Sequence, residues 1–538
     1  MICRSPFPDV DIPDDVALTD FVLRGAAEYG DKPALINGAS DEVISFAEFT
    51  VAVSTVAAAL ARRGFSKGDV FAFYAGNSPE YAIAFLAVAK LGGTVTTVNP
   101  LYTVGELELQ LEDSGASFLI ANADCFDRAS AAAQAAGIAQ LYVFGTAEGA
   151  TPFADLMVAE PTAAAAAHEV PAAQIDPRAD LVVLPYSSGT TGLAKGVMLT
   201  HCNLIANLQQ IAGVAPGTDY APTEDDTLIG VLPFFHIYGM IMMLLSLMRG
   251  CTLVTLPRFD LEHFLSTLER YKVTYAHMVP PIVLLMSKHP TVDEYSLSHL
   301  RQVICGAAPL GEDVATAAAE RLGVRINQAW GMTELSPVGH MNPDPPETID
   351  TSSVGPCVPN AESKIVDVDS GELLGPNERG ELCQRGPHVM VGYLNAPEAT
   401  AHCIDAEGWL HTGDIAYANE AGYVWVVDRA KELIKYKSFQ VAPAELEALI
   451  LTHASVADVA VIGVQDQEAG ELPKAFVVTK DVAPEDVNDR LAADIQSFVA
   501  DQVAHYKRIR TIEFIEAIPK SASGKILRRE LVERERAG

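Results

Sequence analysis

Positive charge is scarce in this chain. Its 538 residues carry 37 Lys and Arg against 70 Asp and Glu, a formal net charge of −33. Nucleic acids and anionic membrane surfaces are gripped by basic patches, so neither is expected as a principal partner. Paired cysteines are lacking too. The eight thiols lie scattered at 3, 125, 202, 251, 305, 357, 383 and 403, with no C-x-x-C pair. That spacing argues against a disulfide framework and predicts free thiols in a reducing cytoplasm. No apolar leader opens the chain, since MICRSPFPDVDIPDD is acidic, and RERAG at the other end is not a peroxisomal address. Leu228 to Met248 holds no Asp, Glu, Lys or Arg, yet Pro233, His236 and Gly239 interrupt it. It reads as strand, loop and buried helix rather than a membrane span.

What is present is a large globular composition, 49% hydrophobic and 20% charged. A chain of this length exceeds one ordinary core, so at least two domains are expected. Residues 1 to about 180 alternate helical and strand patterns. Ser45 to Glu48 is a capping box opening a helix to about Arg63, Val70–Tyr74 a strand, Pro79–Leu91 a helix, and Thr94–Val98 the next strand. Such alternation predicts parallel sheets covered by helices. The run 161–174 is low-complexity connection. Past about residue 428 the pattern changes to that of a small α+β unit: a helix from Pro443, strands near Val459–Val464 and Lys474–Thr479, a helix to about Val503, then Ile512–Phe514. From Tyr506 onward nine Lys and Arg face five Asp and Glu, so an acidic protein ends on a basic segment.

The most informative stretch is LVVLPYSSGTTGLAKGVMLT, Leu181 to Thr200. An apolar strand leads into Ser187-Ser188-Gly189-Thr190-Thr191-Gly192 and on to Lys195. Small residues let the backbone close on a bulky anion, hydroxyls donate to phosphate oxygens, and Lys195 adds a point charge. A Walker A loop is excluded, because Gly196 follows the lysine and Val197–Leu199 reads as a second strand. Further on stand PFFHIYG around His236 and Tyr238, ICGAAP around Gly306, QAWGMTE from Gln328 to Glu334, GELCQRG from Gly380, WLHTGD ending at Asp414, IKYKSFQ from Ile434, and PKSASGK ending at Lys525. Taken singly, His236 and Trp330 are ordinary core residues and Glu334 a surface carboxylate.

Taken together, these segments resemble the adenylate-forming superfamily of acyl-CoA synthetases, peptide-synthetase adenylation domains and luciferases. The resemblance runs from about residue 20 to 530. It is nearest to 4-coumarate–CoA ligases, whose GEICIRG signature is similar to GELCQRG. The chain differs from the usual pattern at Ala194 (commonly Pro), Trp330 (commonly Tyr or Phe) and Ser438 (commonly Gly). The resemblance implies an α/β protein. A large N-terminal domain, residues 1–428, would hold stacked, mostly parallel sheets with flanking helices and a β-barrel-like subdomain. Residues 429–538 would form a small mobile α+β lid turning at Asp428.

The resemblance also implies the site. ATP would meet Ser187 through Gly192, Lys195, Ala307, Ala308, Gln328, Ala329, Gly331 and Thr333, with Trp330 on adenine and Asp414 on the ribose. Arg429, Lys431, Lys435, Gln440 and Lys525 would complete the nucleotide contacts, and Glu334 would hold Mg²⁺. His236, Tyr238, Met242, Gly306, Gly331, Pro337 and Val338 would wall the acyl pocket. Arg258, Lys437 and Ser438 would meet coenzyme A. Lys525 would serve adenylation, Lys435 thioester formation, and His236 would touch ATP or the carboxylate. The implied activity is ATP-dependent acid–CoA ligation by a cytoplasmic monomer or homodimer, with 4-coumarate or a related hydroxycinnamate as substrate. Fatty-acid activation, loading of a carrier protein and luciferase-type oxygenation share these motifs.

Overall fold

The computed structural model describes residues 1–158, 173–187, 194–214, 221–343, 350–436, 439–466, 469–480, 482–483, 486–522 and 524–537, with backbone alone at 439, 440 and 537. Ser188, Gly189, Thr190, Thr191, Gly192, Lys437 and Ser438 lie outside the described residues, as does most of 161–174.

Two eight-stranded sheets form the frame. In the first, Val70–Tyr74, Thr94–Val98, Phe118–Asn122, Gln140–Phe144 and Leu181–Ser187 run parallel. Lys195–Thr200 and Gly392–Tyr393 add antiparallel edges. In the second, Pro33–Asn37 runs parallel with Thr227–Gly230, Thr252–Thr255, Tyr275–Met278, Gln302–Cys305 and Arg325–Gly331. Val43–Ser45 and Val338–Met341 close its ends antiparallel. The apolar strand runs predicted this burial: all five residues of Thr94–Val98 are buried, as a parallel strand covered on both faces requires.

Helix starts follow local chemistry. Ser45 and Glu48 form the expected capping box for Phe46–Arg62, and Thr200 with Asn203 does the same for His201–Gly213. Ser78 caps Pro79–Lys90. The charge-free stretch resolves into the strand Thr227–Gly230 and the buried helix Ile237–Met248. No helix among the described residues is long and apolar enough to cross a membrane.

The barrel-like subdomain expected from the resemblance is instead an open sheet. Its five strands run in the order Ile2–Arg4, Glu362–Val366, Gly380–Arg385, Leu410–Ala418, Val424–Arg429. Closure would need the first strand to meet the last. The outer edge of Val424 is already taken: it exchanges backbone hydrogen bonds with Val354 (2.9 Å) and Gly355 (3.1 Å).

From Ile434 the chain builds its own sheet, with Val456–Asp466 against Gly470–Thr479 and Thr511–Phe514 parallel beside it. Leu446, Ile450, Val459, Val461, Ile495 and Val499 form the core beneath it. A hairpin of Ile434–Tyr436 with Phe439–Val441 extends this sheet. The closing helix Arg528–Ala537 packs its one buried leucine, Leu531, on the opposite face.

Candidate active site

The C-terminal ends of parallel strands are where α/β sheets leave room for ligands. Here the ends of Leu181–Ser187, Gln302–Cys305 and Arg325–Gly331 open into a cleft of about 2290 Å³, with the C-terminal unit as its other wall. The cleft gathers nearly all of the described residues singled out in the sequence. Ser187, His236, Tyr238, Gly306, Ala307, Ala308, Gln328, Ala329, Trp330, Gly331, Thr333, Glu334, Pro337 and Val338 line it from the large unit. Asp414, Asp428, Arg429, Lys431 and Lys525 line it from the other side. Lys195 sits just behind this wall, its Nζ 5.4 Å from the centre of the Tyr393 ring.

Three of the expected residues fall elsewhere. Met242 lines a separate cavity of about 30 Å³ behind Tyr238. Arg258 is exposed and is not part of the cleft wall. Lys435 is exposed on the Ile434–Tyr436 hairpin, outside the cleft. Its backbone N–H donates to Glu471 Oε2 at 2.8 Å. The Gln440 side chain lies outside the described residues.

The buried carboxylate of Glu334 is fixed by two hydroxyls. Ser187 Oγ donates to its Oε1 at 2.9 Å and Tyr393 donates to the same oxygen at 2.7 Å. Burial, then the Glu334 charge, drives the Tyr393 phenol far above its ordinary value, so it remains a donor. Tyr393 carried no signal in the sequence, because it reaches Glu334 from a two-residue edge strand. Gly331 is required sterically, since a Cβ there would lie 2.0 Å from the Pro337 carbonyl oxygen. That backbone approach carries Trp330 to Asp414: the indole N–H donates to Asp414 Oδ2 at 2.8 Å. Arg429 Nε lies 3.4 Å from Asp414 Oδ1. Burial pushes the Asp414 carboxyl up, while Arg429, the Trp330 N–H and Lys525 oppose it.

Gln328 proves to be a brace. It accepts from the Leu310 N–H at 3.3 Å and donates to the Leu310 carbonyl at 3.2 Å, fixing the turn after Gly306. In that turn Ala307 adopts φ +74°, a conformation that costs a non-glycine residue of order 1 kcal/mol. The Tyr238 ring lies against Gly306, and its hydroxyl donates to the Ile304 carbonyl at 3.3 Å.

His236 caps the helix Ile237–Met248, its Nδ1 accepting from the Tyr238 N–H at 3.2 Å. The ring proton therefore sits on Nε2. Burial, then the charge of Lys525, pushes the imidazole down to about 3, so it is neutral at pH 7. Lys525 arrives on a tight loop. Gly524 at φ +80° packs on Val279 and Pro281, and Ser521 and Lys525 hydrogen-bond across it at 2.8 and 3.1 Å. Burial, then Arg429, lowers the Lys525 amine below its ordinary value, opposed by Asp414, Glu334 and Glu432.

Behind this loop Arg528 meets three carboxylates. It forms a two-pronged pair with Glu447, at 2.8 and 2.7 Å, and reaches Glu432 at 3.2 Å. Asp428 accepts from the Ala444 and Arg429 N–H groups at 2.9 and 2.7 Å and adds its charge to the cluster. Burial raises the Asp428 carboxyl, opposed by Arg528 and the two N–H groups. Burial drives the Glu447 carboxyl up to about 7, from the 4.5 of a free glutamate. Between those values the folded chain keeps a proton that the unfolded chain has released, so stability falls as pH rises. Glu447→Gln should therefore remove a pH slope on the order of 1–3 kcal/mol between pH 5 and 8. Urea unfolding of both proteins at pH 5, 6.5 and 8 measures it, and parallel curves would count against the assignment.

An α/β cleft with a buried carboxylate held by hydroxyls, a second carboxylate beside a tryptophan, and a lysine delivered by a separate C-terminal unit defines a nucleotide-handling enzyme. The chain belongs to the AMP-binding enzymes: the family model matches residues 22–394, and that of the AMP-binding enzyme C-terminal domain matches 445–525. It is 42% identical to 4-coumarate–CoA ligase 2 of Nicotiana tabacum, covering 100% of this chain and 98% of that one. The 4-coumarate–CoA ligase of Pinus taeda is also 42% identical, over 98% and 96% of the two chains. Among solved structures, the anthranilate CoA ligase AuaEII with anthranoyl-AMP superposes with a TM-score of 0.89 at 27% identity, covering 98% of each chain. ATP-bound MatB from Rhodopseudomonas palustris gives 0.83 at 28%, over 96% and 99%.

Proposed function

We propose that this protein is an AMP-forming acid–CoA ligase acting on 4-coumarate or a closely related hydroxycinnamate. The observation that carries the reading is Lys525, brought by the C-terminal unit into a cleft that already holds Glu334, Asp414 and neutral His236. A carboxylate is a poor acyl donor, since oxide is its leaving group. Attack on the ATP α-phosphate yields acyl-AMP and pyrophosphate, and AMP then leaves readily when the CoA thiol attacks.

The first half-reaction gathers negative charge at the α-phosphate and carboxylate. Lys525 supplies the opposing charge, with Lys195 and the Ser and Thr hydroxyls of residues 187–191 on the phosphates. The Nε2–H of His236 donates to a substrate oxygen. Asp414 accepts from the ribose hydroxyls, and Trp330 is held by its N–H with its ring toward adenine. Glu334, whose second oxygen remains for a cation, has the hard oxygen donor that suits Mg²⁺. Bound there, Mg²⁺ would neutralise phosphate charge. For the second half-reaction, residues 429–538 act as a lid that turns at Asp428, withdraws Lys525 and brings Lys435, Lys437 and Ser438 toward the CoA chain.

The acyl pocket favours a flat aromatic acid. His236, Tyr238, Gly306 and Gly331 line the part of the cleft read here as the acyl pocket, and the Tyr238 ring offers it an aromatic wall. The relatives' names point the same way. A monomer or a homodimer and a cytoplasmic location are part of this reading, and the eight free cysteines suit the cytoplasm.

Incubation with ATP, Mg²⁺ and a panel of aromatic and aliphatic acids, with and without CoA, tests the reading. Production of AMP and hydroxycinnamoyl thioester supports it. AMP without thioester, or preference for aliphatic acids, overturns it. The exposed position of Lys435 leads to a further expectation: Lys435→Ala slows thioester formation while adenylation proceeds. Single-turnover measurement of each half-reaction checks this, and selective loss of adenylation would contradict the lid motion.

A further inference from the structure

The mechanism leaves unused a cluster that the sheet assembles beside the nucleotide cleft. Glu381 and Cys383 stand two apart on the strand Gly380–Arg385, so their side chains share a face. His411, on Leu410–Ala418, is the direct cross-strand partner of Cys383. Its Nδ1 lies 2.8 Å from Glu381 Oε2 and 3.5 Å from Cys383 Sγ. All three donor atoms fall within 4.8 Å of one another. With Zn–S near 2.3 Å and Zn–N near 2.05 Å, a tetrahedral S–N edge measures about 3.6 Å, so Cys383 and His411 are already spaced as two ligands. Glu381 Oε2 must withdraw by about half an ångström to complete a third corner.

A second observation concerns the far side of the imidazole. Asp405 Oδ2 lies 3.7 Å from His411 Nε2. In the structure Nδ1–H donates to Glu381 Oε2; metal binding therefore requires the ring proton to shift to Nε2, where Asp405 is the carboxylate that can accept it, the arrangement that orients metal-bound histidines. Glu381 and His411 line the main cleft, so the fourth corner opens to water and the ion has a path in. Lys364, 3.9 Å from Asp405, balances that outer carboxylate.

We propose that Glu381, Cys383 and His411 form a binding site for one thiophilic divalent cation of the Zn²⁺ class, with water as fourth ligand and Asp405 supporting His411. Binding breaks the Cys383 S–H bond, forms a metal–thiolate bond and gives the proton to water. One dication against a carboxylate and a thiolate leaves the site neutral. A hard ion such as Mg²⁺ does not compete for sulfur. Glu381 Oε1 also accepts from the Gly413 N–H at 2.9 Å, so the site grips the turn next to Asp414.

The test is a Co²⁺ titration of the chelator-treated full chain in the presence of Mg²⁺. The expected result is one Co²⁺ per chain, with near-ultraviolet thiolate-to-metal absorption and the visible bands of a tetrahedral ion, displaced by Zn²⁺. Cys383→Ser and His411→Gln should each abolish that absorption. Asp405→Asn should weaken binding by about 10–100-fold. His411 is partly exposed, so its variant keeps the test open should the buried Cys383→Ser misfold. Absence of the thiolate absorption in the parent protein, or its survival in His411→Gln or folded Cys383→Ser, would overturn the proposal.

Discussion

Lys525→Ala is expected to lower acyl-adenylate formation on the order of 10²–10³-fold or more, the scale seen when one preorganised donor is removed from a transition state. Transfer of acyl from supplied acyl-AMP to CoA should remain close to normal. The asymmetry follows from where the charge develops. In this structure Lys525 lines the cleft, in the field of Asp414 and Glu334, and in the proposed reaction its ammonium meets the α-phosphate. In the proposed second half-reaction AMP already carries the charge that departs, and the lid motion would turn the lysine away. Folding should be spared, because the Lys525 loop is closed by its own backbone at Ser521 and by Gly524. Pyrophosphate release from ATP and thioester release from synthetic acyl-AMP, measured separately, decide the matter. Equal loss of both would remove Lys525 from the chemistry.

Arg528→Met should be the most destabilising single change in the C-terminal unit, by about 3–5 kcal/mol, the range for stranding buried charge. Glu447 would keep its Val461 N–H bond at 2.7 Å but lose both guanidinium contacts. Glu432 and Asp428 would face it without the intervening positive charge. Two residues separate Arg528 from Lys525, so the loop should loosen and adenylation fall with stability. Hydrogen exchange in the strand Val456–Asp466 and thermal unfolding read the effect. A double substitution with Glu447→Gln should recover part of the loss above pH 7, because the amide neither holds a buried charge nor has to take up a proton. Failure of the second change to recover any stability would mean that packing of the Arg528 stem, rather than charge, holds the loop.

Much of this architecture was legible from pattern alone. Val70–Tyr74 and Thr94–Val98 stand where the apolar runs between turn residues put them, and the Ser45–Glu48 capping box starts its helix as read. The motifs around Ser187, Gly306 and Trp330 were legible because they sit at strand ends, where local sequence and function coincide. What escaped depends on distance along the chain. Ile2–Arg4 pairs with Glu362–Val366, and nothing in three residues announces a partner so remote. Tyr393 touches Glu334 only after the short edge strand has docked. The helix Arg528–Ala537 is almost wholly charged, so its single leucine gave no period to detect. The hairpin Ile434–Tyr436 with Phe439–Val441 was hidden by its lysines. The open third sheet departed from expectation because residues 354 and 355 occupy the edge that closure would need.

The membership of Pro33–Asn37 in the second sheet bears on how the chain comes to be folded. Its parallel neighbour is Thr252–Thr255, with Leu35 opposite Leu253. The whole first sheet up to Lys195–Thr200 intervenes in sequence. The two sheets are therefore threaded through one another and cannot be won in succession from the N-terminus. Any growing or severed chain that stops short of residue 252 carries a buried-type strand whose one flank is met by Val43–Ser45 and whose other flank is unsatisfied. Such long-range parallel closure is intrinsically slow and leaves sticky edges in the meantime. The large unit should consequently behave as one cooperative block, and a cut between its two sheets should yield halves that need each other to become soluble.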